Sequence, residues 1–227
     1  MQANYSEVLI SGENILTERG ADKRVIALLA ERELQPEHFY LTGFETLSFN
    51  QNRKFAIETV LSSSTSFHNE VLVVNTGEHS FYITQLCEKN RISCHMISVD
   101  DILDPTLLVE KIIKPNRNIS HLVICQGDDI AINREELKMA GLISAKNKID
   151  LIVECDRFSI SVPMALECGV SFLVSPDPCM NDHSLVVARR SRLVQCEGKS
   201  RTMQYDLYRY WQRNLSQRRH EIEPMAV

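Results

Sequence analysis

Short apolar runs alternate with segments of helical periodicity along this chain. Val25, Leu28 and Leu29 recur at i, i+3 and i+4 between Asp22 and Leu34, which predicts an amphipathic helix near the start. Phe55, Ala56 and Val60 repeat that spacing between Asn52 and Leu61. The run Glu70-Val71-Leu72-Val73-Val74-Asn75 then reads as a buried strand that Thr76-Gly77 stops. A helix from Glu78 to Asn90 follows, with Ile83, Leu86 and Cys87 on one face, and Ile92 to Val99 reads as the next strand. Thr106 to Ile113 is helical and ends before Pro115. Strands are predicted at His121–Cys125, Ile149–Cys155, Val170–Ser175 and Ser184–Arg189, with helices at Arg134–Lys146 and Pro163–Cys168. Leu61 to Asn69, with four serines, reads as a helix-to-strand loop. Alternating strands and helices predict an α/β fold, a three-layer α/β/α sandwich around a mostly parallel sheet.

Composition narrows the function more than the fold. A chain of 227 residues with 44% hydrophobic and 24% charged residues suits one soluble domain. The sequence holds no apolar run long enough to span a bilayer, and its polar first residues do not read as a signal peptide, so cytoplasmic residence is expected. A formal charge of −5 gives no reason to invoke nucleic acid. The basic cluster Arg209, Arg213, Arg218, Arg219 and His220 reads as a solvated helix end, because Glu221 and Glu223 lie beside it. Seven cysteines include no C-x-x-C pair and read as reduced core residues. Only 8 glycines occur and none forms a G-x-G pair, which removes the Rossmann and Walker phosphate loops together. His68, His79 and His183 read as capping or surface residues, and no serine or cysteine nucleophile motif is in place.

The clearest family likeness lies near the C-terminus. Val186-Val187-Ala188-Arg189-Arg190 is followed by Gly198-Lys199-Ser200-Arg201 and by Asp206-Leu207-Tyr208-Arg209-Tyr210-Trp211. This resembles the class V (fold type I) pyridoxal-phosphate aminotransferases, and within them most the 2-aminoethylphosphonate:pyruvate transaminases. Their large domain has a strand ending in Ala-Arg and then Ser-Arg-Ser-Leu-Ser-Leu-Asp-Leu-Tyr-x-x-Trp. Ser11-Gly12-Glu13, Ala56 to Leu61, Val71 to Gly77, His121-Leu122-Val123 and Val153-Glu154 extend the resemblance in order along the chain. It implies a single large domain over residues 1–214, with an arm at 1–20, a polar tail at 215–227 and no small C-terminal domain. It also implies a homodimer, or pairing with a related transaminase subunit, because such sites are built at dimer interfaces.

The resemblance assigns four cofactor positions. Where the family cradles the cofactor phosphate on a Gly-Ser-Gly turn at a helix N-terminus, this chain has Gln51-Asn52-Arg53-Lys54. Arg53 and Lys54 could attract an anion there, or be two solvated charges on a first helical turn. Where the family's aspartate meets the pyridinium nitrogen stands Glu154, whose extra methylene moves the carboxylate by roughly one C–C bond length. It could equally be a structural carboxylate at a strand end with Arg157 nearby. Gln126-Gly127-Asp128-Asp129 takes the place of the segment beside the ring; Asp128 and Asp129 would alternatively cap the next helix. No third carboxylate is spaced to make a metal site, so no metal is expected. The Schiff-base lysine is replaced by Pro178, within Ser175-Pro176-Asp177-Pro178-Cys179, and a proline offers no amine to an aldehyde. Glu154, Asp128, Gln126 and Arg53 are therefore the candidate cofactor-binding residues. No catalytic residue is assigned, and no covalent pyridoxal phosphate is expected. The reading is a catalytically inactive, aminotransferase-like scaffold or partner subunit. Its alternative is an active enzyme with a relocated or partner-supplied lysine. A weaker third is a sensor for an anionic metabolite.

Overall fold

The computed structural model describes residues 43–113, 117–126, 132–155, 160, 162–177 and 182–222. The helix expected at 22–34, the arm at 1–20, Asp128, Asp129, Arg157 and Pro178 lie outside the described residues. Seven strands form one sheet: β1 (Phe44–Phe49), β2 (Glu70–Val74), β3 (Ser93–Ile97), β4 (Ile119–Gln126), β5 (Asp150–Cys155), β6 (Phe172–Pro176) and β7 (Ser184–Arg189). Their order is β1-β7-β6-β5-β4-β2-β3. The β2–β3, β2–β4, β4–β5 and β5–β6 pairs are parallel. The two pairs made by β7 are antiparallel.

The strand alternation assigns side chains to two cores. Leu72, Val74, Leu122, Ile124, Leu151 and Val153 face one side. There they meet α3 (Asp100–Leu103), α4 (Pro105–Ile112), α5 (Arg134–Lys146) and α6 (Val162–Glu167) through Ile102, Leu108, Leu137, Ala140 and Ala165. Val71, Val73, Val123, Cys125, Ile152 and Val174 face the other. Their partners are Ile57 and Val60 of α1 (Arg53–Ser64), Ile83 and Leu86 of α2 (Glu78–Lys89), Leu193 of α7 (Arg190–Gln195), and Leu207 and Trp211 of α8 (Leu207–Ile222). Both faces of the central strands are covered, which is why these strands read as continuous apolar runs rather than alternating ones. No described helix is long and apolar enough to cross a membrane.

Two expectations are corrected. Phe44–Phe49 was not anticipated as a strand, because Glu45 interrupts it; Glu45 is buried and held by Arg190 at 3.0 Å. The serine-rich stretch after Leu61 is not all loop: α1 continues to Ser64 and ends on Thr65, whose N–H reaches the Leu61 carbonyl. Ser63 is used for tertiary contact. Its hydroxyl donates to the Tyr205 carbonyl (2.6 Å) and accepts from the Leu207 N–H (2.8 Å), so it ties α1 to the start of α8.

A second polar group lies where β4 and β5 begin. His121, paired in register with Asp150, is buried, and its Nδ1 lies 2.6 Å from the Ser120 hydroxyl. Burial lowers its pKa from 6.5 to about 4, against a smaller upward pull from Asp150. Asp150 itself accepts from Ser171 and pairs with Arg192, each at 2.7 Å.

Candidate functional site

The chain runs outward from β2 to β3 and then returns past β2 to β4, after which β5 and β6 continue in one direction. The strand order therefore reverses between β2 and β4, where an open α/β sheet leaves a crevice beyond its strand C-termini. The loop after β2 enters α2 through Gly77, whose φ of 114° is a conformation that side chains disfavour. Ser80 fastens this turn: its hydroxyl donates to the Gly77 carbonyl (2.6 Å) and accepts from the Thr76 N–H (3.2 Å). The turn places His79 at the mouth of the crevice.

Arg53 is the first residue of α1, so its backbone is fixed by the cap. Asn52 accepts the Phe55 N–H through its side chain (3.2 Å), and Ser184 of β7 donates to the Gln51 carbonyl (2.7 Å). From that anchor the guanidinium reaches over the strand ends. Arg53 Nε lies 2.6 Å from Glu154 Oε1, with side chains 15% and 4% exposed, a separation that makes this a short charge-assisted bond with little water around it.

His79 completes the arrangement by its face, not its edge. Arg53 Nη2 is 3.0 Å from Nδ1 and 3.2 Å from Nε2 of the same imidazole. A nitrogen equidistant from both ring nitrogens cannot lie in the ring plane without colliding with the carbon between them. Nη2 therefore lies over the face of the ring, and neither contact is directed at a ring lone pair. One cation thus meets a carboxylate through Nε and the face of an aromatic ring through Nη2. His79 Nδ1 is 3.8 Å from the same Glu154 oxygen.

Around this centre, Lys54 Nζ lies 4.6 Å from the Tyr82 ring centroid. Burial, followed by the nearby Glu58 carboxylate, pushes the Tyr82 pKa up. Cys125, beside Glu154 on the neighbouring strand, is buried, and burial followed by the Glu154 charge raises its thiol pKa well above the ordinary value. Such a thiol stays protonated and is a poor nucleophile. Gln126 at the end of β4 spends its amide on the Ile132 carbonyl (2.8 Å). No cluster of three or more His, Cys, Asp or Glu side chains suited to a metal occurs among the described residues.

Of the candidates from sequence, the structure joins Arg53 and Glu154 directly, gives Gln126 a structural bond, and leaves Asp128 outside the described residues. The reading of Arg53 as a solvated charge is corrected by its ion pair. His79, read as a capping or surface residue, is corrected to a partner of Arg53. Its position two residues beyond the Gly77 that stops β2 was the one available signal.

No family model matches the chain. Over 177 residues it is 24% identical to a 2-aminoethylphosphonate–pyruvate transaminase of Vibrio vulnificus, covering 74% of this chain and 48% of that one. The chain spans about half the length of the curated relatives it matches. Among solved structures it superposes on the alanine–glyoxylate aminotransferase of Nostoc sp. with a TM-score of 0.59 at 14% identity, covering 80% of this chain and 55% of the other. The PLP-bound C–S lyase of Staphylococcus hominis gives 0.53 at 14% identity, over 82% and 53%. These structural likenesses show the fold.

Proposed function

We propose that this chain, related in sequence to the 2-aminoethylphosphonate–pyruvate transaminases and folded like the large domain of pyridoxal-phosphate aminotransferases, forms no covalent linkage to that cofactor by itself and acts as a scaffold or partner subunit. The observation that carries the reading is the ion pair between Arg53 and Glu154. A carboxylate at this strand end suits a protonated ring nitrogen, and here Oε1 is 2.6 Å from the chain's own guanidinium. The first turn of α1 has no glycine to bring a backbone close to a phosphate, and the Asn52 side chain already takes one of its N–H groups. With Pro178 where the resemblance expects a lysine, these residues do not fit pyridoxal phosphate, and no step through it is derived.

A role in assembly is supported by what stays preserved. The Ser200–Trp211 stretch is used for packing: Leu207 and Trp211 fill the core, and Ser63 bonds both Tyr205 and Leu207. On the α3–α5 side, Leu103, Leu107, Ile113, Met139 and Leu142 remain exposed, an apolar surface suited to a second copy or to a complete transaminase subunit. A cytoplasmic home fits this reading.

The test is incubation with pyridoxal phosphate, borohydride reduction and mass mapping of peptides, with transamination of an amino donor assayed in parallel. Scattered substoichiometric adducts without turnover are expected. A single stoichiometric adduct on one lysine together with transamination would overturn the reading in favour of a relocated lysine.

A further inference from the structure

We infer that Arg53 is a built-in occupant of the crevice: its guanidinium takes the position that a bound flat aromatic cation would take between Glu154 and His79. The inference rests on the reading that the chain carries no covalent cofactor. A nearly dry carboxylate demands one cation, and the geometry specifies its kind. That cation must direct an N–H at Oε1, and it must carry its positive charge over the face of an imidazole. A guanidinium does both. A pyridinium, with one in-plane N–H and two π-faces, does both as well. The two cannot share Oε1 at 2.6 Å, so the arginine excludes the ligand by occupying its contacts.

The location supports a ligand crevice over an ordinary core ion pair. The pair sits at the strand C-termini beside the reversal of strand order, where sheets of this type bind ligands. Arg53 comes from the first residue of α1, so its stem approaches from the rim and its removal leaves the sheet beneath intact. Arg53 is thus a specificity-determining residue. Its loss exchanges a covalently tethered cation for a diffusible one.

The probe is pyridoxamine 5′-phosphate, which has the protonatable ring but no aldehyde to react with surface lysines. Binding is read by equilibrium dialysis to the wild type, R53A, R53M and R53A/E154Q, with folding checked by circular dichroism. R53A and R53M are expected to bind at least about tenfold more tightly than the wild type, and R53A/E154Q to return to within about twofold of it. Wild-type affinity equal to that of R53A, or a gain that persists without the Glu154 carboxylate, overturns the inference. Failure of both single variants to fold would mark Arg53 as a structural ion and overturn it too. A stoichiometric lysine adduct in the wild type sinks the earlier reading. An adduct-free wild type with no gain in R53A sinks this inference alone.

Discussion

Replacing His121 by glutamine should remove most of the acid sensitivity contributed by one buried group. In the folded chain His121 is held neutral, with its pKa lowered from 6.5 to about 4 chiefly by burial. Adding a proton would leave Nε2–H with no acceptor among the described residues, since Nδ1 is already with Ser120. Between those two values the unfolded chain binds the proton and the folded chain does not. Stability from this group is therefore complete above pH 6.5 and is lost as pH falls towards 4. A shift from 6.5 to about 4 corresponds to about 3 kcal/mol in full, of which about 2 kcal/mol is lost between pH 7 and pH 5. Urea unfolding of wild type and His121→Gln at pH 7, 6 and 5 measures it, because every other titrating group is common to both. The stability difference between the two proteins should narrow by about 2 kcal/mol in favour of the variant on going to pH 5. Parallel curves, differing by a constant within about 0.5 kcal/mol, would refute the argument that burial holds this imidazole neutral.

Three further outcomes follow from the packing. Gly141→Ala would usually gain helix propensity, yet a Cβ there would stand 1.7 Å from the Cys168 carbonyl oxygen, so the melting temperature should fall with a net cost of about 2–4 kcal/mol. Ser63→Ala leaves the Leu207 N–H and the Tyr205 carbonyl without this partner and should cost about 1–3 kcal/mol in chemical denaturation, with earlier protease cleavage near residue 205. Glu154→Ala should destabilise by about 3–5 kcal/mol through an uncompensated Arg53, whereas Arg53→Met with Glu154→Leu should cost less than either single change; additive losses in the urea cycle would contradict a coupled pair.

The parts of the fold legible in the sequence are those whose order is local. Val71–Val74, Leu122–Cys125 and Leu151–Val153 are apolar on both faces, so burial alone identifies them. The helices carry their own signals, such as Asn133 capping α5 with Glu136 reaching back. The first strand was illegible because its buried Glu45 is paired with Arg190, 145 residues later in the chain. The candidate site was half legible. Glu154 and Arg53 were found through family likeness, but their pairing, and the part His79 plays in it, arises only where α1, α2 and the end of β5 meet. A charge on a first helical turn looks the same in sequence whether it meets water or a carboxylate. The antiparallel placement of β7 has the same cause, since register with β1 is a long-range choice.

That long-range pairing also shapes how the chain must be made. Phe44–Phe49 is made well before its one neighbour in the sheet among the described residues, Ser184–Arg189. At about 5–20 residues per second, roughly 7–27 s pass before that neighbour has been synthesised. Through this interval Leu47 and Phe49, which end almost completely buried, have no sheet to join. Among the described strands, the one at this end of the sheet is thus the segment most in need of shielding during translation, and it waits longest for its partner.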